Sequence, residues 1–312
     1  MMKFCAQPSM RRFWTHRVTL SRAVLSQPRR ASSDVSKKMS LSGLGATGVV
    51  AGALGSLAGM GGGFVAIPMM THFGVGQHVA HGTSLVGVLA TGCAGAVAYG
   101  LDGEVDPLAA LLVASTGALT ARFGALAASR LEAQILKRAL GVFMLVIAPV
   151  VPFKQRIMDL LAAEQRRPSS EIRDDLTSPA ALVARVQELR PADFVPLLGI
   201  GVMSGFLAGL FGVGGGAIVV PLLALATDMD HKLALGTSLA AMVPTAVAGV
   251  AAHARLGNVQ LLTATPLLVG TCTGAYFGGR LGSAYIPDEP MKLGFGVLMF
   301  ALGSRTLITS FR

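Results

Sequence analysis

The chain has 312 residues, of which 52% are hydrophobic and only 13% charged, and its mean hydropathy is +0.62. A soluble domain usually carries about 25% charged residues, so this composition excludes an ordinary soluble globular protein. The net charge of +10 suggests a nucleic-acid ligand, but residues 1–38 hold nine of the 26 Lys and Arg and only one acid. The rest of the chain carries 17 basic and 15 acidic residues, so no nucleic-acid partner is predicted.

Residues 1–42 form a basic N-terminal extension that is rich in Arg and Ser. It lacks the apolar core of a secretory signal, and Phe13, Trp14 and Leu25 suit the apolar face of an amphipathic helix. These properties are typical of a transit peptide, and they predict a multi-pass protein of the mitochondrial inner membrane. The alternative is a disordered basic tail on a plasma-membrane or endomembrane protein.

Long runs without any charged residue follow the extension. They span Met39–Leu101, Phe194–Thr227, Leu233–Ala254 and Leu256–Gly279. A helix needs about 20 apolar residues to cross a bilayer, and these runs lack the polar stripe of a soluble core helix. The sequence therefore predicts an all-α polytopic membrane protein with the lipid bilayer as its main partner.

An internal repeat organises these runs. The segment Gly59–Pro68 recurs as Gly212–Pro221, and Gly82–Leu85 recurs as Gly236–Leu239, at offsets of 153 and 154 positions. We expect two homologous transmembrane repeats, at 43–152 and 194–312, joined by a polar linker at 153–193 in which a short helix begins at Ser178. About eight apolar segments are predicted, at 43–70, 82–100, 107–128, 137–152, 194–226, 234–253, 261–280 and 291–308.

The first segment of each repeat is interrupted by three consecutive glycines and a proline five residues later. Glycine runs and interior prolines destabilise helices, and broken backbone at membrane depth is tolerated only where protein or water covers it. We therefore expect residues 59–63 and 212–216 to be non-helical and to face each other in mid-membrane. The repeats are inverted if each first segment dips and returns, and parallel if it crosses fully.

The motif GxGGGxxxxP, followed after about fourteen residues by GTSL, occurs twice and in register. This pattern resembles the sulfite exporter TauE/SafE-like family over residues 43–308. The resemblance implies a transporter of about eight spans whose substrates include sulfite and small organosulfur anions. Because broken helices at matching positions mark binding sites in transporters, we expect alternating access around a site between the repeats.

The candidate substrate-binding residues are the two glycine runs, the prolines and the hydroxyls of the GTS triplets. Backbone amides of consecutive glycines approach an anion closely, whereas Gly48, Gly52, Gly201, Gly205 and Gly209 suit helix packing. The hydroxyls either contact substrate or cap helices. The set comprises Gly59, Gly61, Gly62, Gly63, Pro68, Thr83, Ser84, Gly212, Gly214, Gly215, Gly216, Pro221, Thr237 and Ser238.

The expected binding of an anion by glycine backbone amides makes a prediction about substitution of those glycines. A methyl group at Gly62 or Gly215 is expected to impair transport and leave folding intact, whereas neutralising Arg280 at a span edge is expected to do less. The acidic run Asp102, Glu104 and Asp106 is expected either to repel an anion at the mouth or to form an ordinary solvated turn.

Other reactive residues give no sign of chemistry. His72, His78 and His81 are placed in one interfacial loop without nearby Cys or carboxylates, so no metal is predicted, although His81 suits proton coupling. Cys93 and Cys272 are expected to be buried small side chains. Because no catalytic constellation or cofactor motif is present, the protein is predicted not to be an enzyme. The alternative to transport is a structural or assembly subunit of an organelle membrane complex.

Overall fold

The protein is described by a computed structural model that covers residues 41–161, 191–227, 229–286 and 288–311. All regular secondary structure in these ranges is α-helical, which confirms the predicted all-α fold. Within these described ranges, four helices are long and apolar enough to cross a membrane, at 77–100, 107–130, 194–211 and 231–255. The predicted transit peptide, except for its last two residues, and the predicted helix at Ser178 lie outside the described ranges.

Ten helices are described, five before the polar linker and five after it. The N-terminal five are α1 (Leu41–Leu57), α2 (Gly63–His72), α3 (Gln77–Gly100), α4 (Pro107–Arg130) and α5 (Ala133–Leu161). The C-terminal five are α6 (Pro191–Phe211), α7 (Gly216–Ala226), α8 (His231–Arg255), α9 (Leu261–Ala284) and α10 (Asp288–Ser310).

Two of the predicted segments each hold two helices, because 43–70 contains α1 and α2, and 194–226 contains α6 and α7. The end of the fourth segment differs from the prediction. Helix α5 continues to Leu161, nine residues past the expected boundary at 152. A helix satisfies its backbone hydrogen bonds internally, so it can extend beyond an apolar span into a polar stretch.

Helices α3 and α8 lie side by side and run antiparallel through the centre of the protein. Gly82, near the start of α3, lies against His253 near the end of α8, and Gly236 near the start of α8 lies against Tyr99. Between these ends, Gly92 packs on Leu239. Helices α5 and α10 are antiparallel too, since the Lys137 ammonium donates to the Thr309 carbonyl (3.1 Å) and Gly141 lies against Leu307.

The first helix of each group of five packs closely against a helix of the other group. Helix α1 lies along α9, where Gly48 contacts Gly270 and Gly274 contacts Val49. Helix α6 lies along α4 in the same way, through contacts of Gly201 with Val113, Gly205 with Gly117 and Gly209 with Ala121. Glycine lets two helix backbones approach this closely, which confirms the packing interpretation of Gly48, Gly52, Gly201, Gly205 and Gly209.

The outward faces of the long helices are apolar. Large exposed side chains include Val97, Leu111, Phe123, Phe277 and Phe300, as expected for helices that contact lipid. The prediction that Cys93 and Cys272 are buried is wrong, because both are exposed on this surface. A lipid-facing position favours an apolar side chain as strongly as the core does, so hydropathy alone does not distinguish the two environments.

Candidate functional site

Each glycine run interrupts a helix. Residues 58–62 separate α1 from α2, and residues 212–215 separate α6 from α7. This confirms the predicted non-helical breaks except at Gly63 and Gly216, which begin α2 and α7. In the first break Gly59, Gly61 and Gly62 adopt φ of +66°, +85° and +69°. Gly212 and Gly214 adopt +66° and +82° in the second break. Side chains with a Cβ rarely adopt these angles, which explains the glycines.

The two breaks meet, as predicted. A methyl group placed on Gly63 would lie 2.6 Å from Cα of Val213, and one on Gly216 would lie 2.7 Å from Cα of Met60. The first break also returns along its own helix, since a methyl group on Gly62 would overlap the Ala51 carbonyl oxygen. Residues 58–67 and 211–221 are all buried. The place where the two breaks meet, formed by residues 58–63 and 212–216, is called the crossing. It is closed on both sides in this conformation.

Two side chains that the sequence did not single out line the crossing. Val88 of α3 and Met242 of α8 both lie against Gly61 and Gly214, and both are almost fully buried. Their positions differ by 154, the offset between the GTS triplets, so the repeat contained a signal for them. Their apolar character gave no reason to select them from many similar residues.

The serines of the GTS triplets hold the opposite break. Ser84 Oγ donates to the Gly212 carbonyl at 2.6 Å, with the His81 carbonyl also within reach at 2.8 Å. Ser238 Oγ donates to the Gly59 carbonyl at 2.9 Å. The proposed capping role is wrong, because both serines lie seven residues inside their helices and not at the start.

The threonines of the triplets hold the opposite connecting loop. The amide of Asp106 donates to Thr237 Oγ1 at 2.9 Å, and the amide of Gln260 donates to Thr83 Oγ1 at 3.2 Å. Thr83, Ser84, Thr237 and Ser238 are all 0% exposed. Each triplet therefore joins two segments from the other group of five helices, a role that becomes visible only when contacts are known.

The N-termini of α2 and α7 meet at this crossing. The Val65 and Ile218 amides bond to the carbonyls of Gly62 and Gly215, both at 3.1 Å. Among the described residues, the amides of Gly63 and Gly216, two residues earlier, form no backbone hydrogen bond. Unpaired amides and the helix dipole make a helix N-terminus favourable for an anion, and here two such ends come together.

The prolines are further from the crossing than their place in the motif suggests. Pro68 and Pro221 lie five residues inside α2 and α7, and both helices continue past them. A proline this close to a helix start loses one interior hydrogen bond, and burial of the surrounding apolar residues offsets that cost.

The predicted effect of a methyl group on the breaks also needs correction. A methyl group on Gly62 would overlap a carbonyl of α1, and one on Gly215 would lie 2.5 Å from Cβ and 2.7 Å from the carbonyl oxygen of Ser204. Backbone atoms cannot move aside easily, so either substitution disturbs packing as well as any bound anion. Neither substitution separates folding from transport.

The acidic run is not an ordinary solvated turn. Glu104 and Asp106 are 6% and 1% exposed, and the Asp106 carboxylate accepts from the amides of Leu108 and Ala109 at the start of α4. Asp102 pairs with Arg280 at 2.6 Å. A hydrogen bond from Ser283 and the nearby Arg280 guanidinium hold the pKa of Asp102 below its ordinary value. The Asp102 and Asp106 carboxylates therefore fix the loop between α3 and α4 in place.

The histidines are placed differently from the prediction. Only His72, at the end of α2, is exposed, whereas His78 and His81 lie in the first two turns of α3. His81 is fully buried. The loop between the spans is shorter than hydropathy indicated, because α3 begins at Gln77 and not at residue 82.

Apolar helices with outward lipid-facing side chains, and two broken helices that cross inside the bundle, define a multi-pass α-helical membrane protein of the transporter class. The sulfite exporter TauE/SafE family matches residues 44–309, and the chain belongs to this family.

Several relatives carry transporter names. The chain is 29% identical over 247 residues to the probable membrane transporter protein YunE of Bacillus subtilis, covering 76% of this chain and 85% of that one. It is 27% identical over 262 residues to a probable membrane transporter protein of Xylella fastidiosa, covering 83% and 91%. No solved structure matches the chain. The alternative role as a structural subunit gains no support from these relatives.

Proposed function

We propose that the protein transports a small anion, either sulfite or an organosulfur or other organic anion, by alternating access between the two repeats. The binding site is the crossing of the two breaks, formed by the glycines among residues 59–63 and 212–216. Thr83, Ser84, Thr237 and Ser238 support it through their bonds to the breaks and loops, and Pro68 and Pro221 lie further along α2 and α7. The meeting of the α2 and α7 N-termini carries this proposal, because it directs two positive helix ends at one buried point. The hydroxyls of Ser84 and Ser238 donate to the Gly212 and Gly59 carbonyls of the breaks and so fix the backbone around this point.

We further propose that the two groups of five helices are inverted repeats. Antiparallel packing of α3 on α8 and of α5 on α10 supports this, because each pair joins equivalent helices. A two-fold axis in the membrane plane relates antiparallel equivalents, whereas an axis along the membrane normal would make them parallel. The return of the first break beside Ala51 supports the same arrangement.

The close pairs α1–α9 and α4–α6 constrain how the protein opens. Moving one group of five as a rigid body against the other would separate backbones that touch at glycine. We therefore propose that each of these pairs moves as a unit and that sliding at α3 and α8 opens the crossing alternately to the two sides.

Uptake into proteoliposomes tests the function. Labelled sulfite, methanesulfonate and a small carboxylate are supplied to vesicles with and without the purified protein, and initial rates are compared. We expect protein-dependent uptake of sulfite or a related organosulfur anion, with competition by the unlabelled anion. Uptake that equals the protein-free rate for all three anions would reject the proposed function.

Labelling of single cysteines tests the inverted arrangement. In a background without native cysteines, Gly103→Cys and Gly257→Cys occupy equivalent loops with open space around the new side chain. Both positions have left-handed φ, +74° and +73°, so both variants carry the same modest strain. We expect a membrane-impermeant maleimide to label them from opposite sides of the membrane. Labelling of both from the same side would mean parallel repeats.

We propose that residues 1–42 direct the protein to the mitochondrial inner membrane. The family match begins at residue 44, so this basic segment is not part of the shared transporter fold. A fusion of residues 1–42 to a fluorescent protein is expected to localise to mitochondria. Diffuse cytosolic fluorescence would rule out the targeting role and would leave the transport proposal unaffected.

A further inference from the structure

Two fully buried histidines meet at the end of α6, beside the second break. The His253 Nε2 lies 2.8 Å from the Gly209 carbonyl oxygen, and the His81 Nε2 lies 2.7 Å from the Gln77 amide nitrogen. The two residues are neighbours, because a methyl group on Gly82 would lie 3.1 Å from Cβ of His253. Both side chains are 0% exposed, so α3, α6 and α8 enclose them.

These contacts fix the protons of the neutral rings. A carbonyl only accepts, so His253 carries its proton on Nε2, and an amide nitrogen donates, so His81 carries its proton on Nδ1. Both Nδ1 atoms are buried without a hydrogen-bond partner of good geometry. The His253 Nδ1 therefore presents a buried lone pair, which is a vacant place for one proton.

The surroundings can stabilise a positive charge once water is admitted. Helix α6 ends at Phe211, and the last carbonyls of a helix favour a nearby cation. Removing a charge from water is unfavourable, so the closed, dry form holds both rings neutral. A proton consequently binds more tightly when this end of the crossing is open.

Few other ionisable groups face the pair. His78 on α3 is half-buried beside the pair, and the Leu210 and Phe211 carbonyls at the end of α6 face His81. Arg255, two residues after His253 on α8, is exposed. The last turn of α6 and the connecting residues 256–260 contribute no charged side chain. Basic groups elsewhere are engaged: Lys137 and Arg138 with the end of α10, Arg305 with His72, and Arg122 with the ring of Phe123. Because like charges repel, the cluster accepts one proton at a time.

The equivalent place at the other break is not titratable near neutral pH. Position 235 corresponds to His81 and holds leucine, whose side chain packs on Gly59 as His81 packs on Gly212. Position 99 corresponds to His253 and holds tyrosine. Among the described residues, a histidine pair therefore lies at one end of the crossing only, while the other end holds the buried carboxylates Glu104 and Asp106.

We propose that the His81–His253 pair is a proton-operated gate at this end of the crossing. The pair is neutral when the end is closed, and it takes one proton from the adjoining water when the end opens. Acid on that side of the membrane therefore favours the open form, while acid on the other side has no such effect. This inference rests on the proposed transport function for its physiological meaning and for the first of its two tests, but not for the second.

Transport provides the first test. Anion exchange is measured in proteoliposomes with methanesulfonate, which stays ionised at all working pH values, while the inside and outside pH are varied separately from 8 to 6. We expect the wild-type rate to rise with acid on one side only, by up to about tenfold per pH unit for a single proton. His81→Leu and His253→Tyr introduce the residues found at the equivalent positions 235 and 99. In these variants the acid-dependent increase in rate is expected to be less than about twofold.

His72→Gln is the matched control, because His72 is exposed, bonds to Arg305 and lies against the ring of Phe73, away from the pair. This variant is expected to keep the one-sided pH response. A response that is equal on both sides, or that persists in both gate variants, would overturn the proposal.

Amide exchange gives a readout that does not depend on transport. Exchange of residues 77–85 and 249–258 is followed in detergent by mass spectrometry and corrected for the intrinsic effect of pH. Acid is expected to increase exchange there in the wild type and in His72→Gln, but not in His81→Leu. If wild-type exchange is independent of pH, the gate is wrong even if anions are carried. If exchange responds but no anion is carried, the gate stands and the transport function fails.

Discussion

Replacing Gly205 by alanine is expected to remove most of the folded protein. The added methyl group would overlap the Gly117 carbonyl oxygen and lie within 2.5 Å of its Cα, where α6 and α4 touch. Backbone atoms of a packed helix pair cannot give way without separating the helices, and overpacking of this kind costs about 1–3 kcal/mol or more. Because α4 and α6 belong to different groups of five, the damage extends across the protein.

Gly199→Ala is the matched control for this substitution. Gly199 lies on the same helix with open space around its Cβ position, so alanine adds helix propensity without a clash. It is expected to leave stability unchanged or to raise it by about 0.5–1 kcal/mol. Thermal unfolding in detergent and membrane abundance measure both variants. Equal stability of the two would mean that α4 and α6 do not touch at glycine.

Removing the hydroxyl of Ser84 is expected to reduce transport more than stability. In Ser84→Ala the Gly212 carbonyl loses its buried donor, which costs about 1–3 kcal/mol, and the second break loses the contact that orients it. Ser238→Ala is expected to have the same effect through Gly59. If the hydroxyls position the breaks, initial uptake rates at matched abundance fall at least tenfold in each variant.

Ser115→Ala removes a hydroxyl from an exposed helix face, where Oγ bonds only to the Leu112 carbonyl of its own helix. It is expected to keep wild-type uptake and stability. If uptake by Ser84→Ala and Ser238→Ala falls only in proportion to the loss of folded protein, the two serines do not position the breaks.

The sequence was sufficient for the class, the family and the breaks. Uncharged runs longer than a bilayer crossing admit only helices, because a lipid-exposed backbone must bond within its own segment. The left-handed φ at Gly59, Gly61 and Gly212 follows from the same logic, since three consecutive glycines have no use inside a regular helix. These conclusions needed no knowledge of which helices touch.

The errors arise where the answer depends on a distant partner. Ser84 and Thr83 resemble helix caps in sequence, but they lie inside α3 and bond to Gly212 and Gln260 of the other group. Cys93 looks like a core residue because lipid and protein interior favour the same side chains. The clash expected at Gly215 depends on Ser204, which lies eleven residues earlier on α6, before the break.

Helices α1 and α4 of the first group pack against α9 and α6 of the second group. This packing affects how the chain is assembled during synthesis. When the ribosome has completed α1 to α5, the glycine faces of α1 and α4 have no partner, because α9 and α6 have not yet been made. Until the second group is made, these glycine faces are exposed in the bilayer. Any other helix rich in small residues can then bind to them in place of α9 and α6. The two groups expressed as separate chains should therefore be unstable alone and recover when produced together.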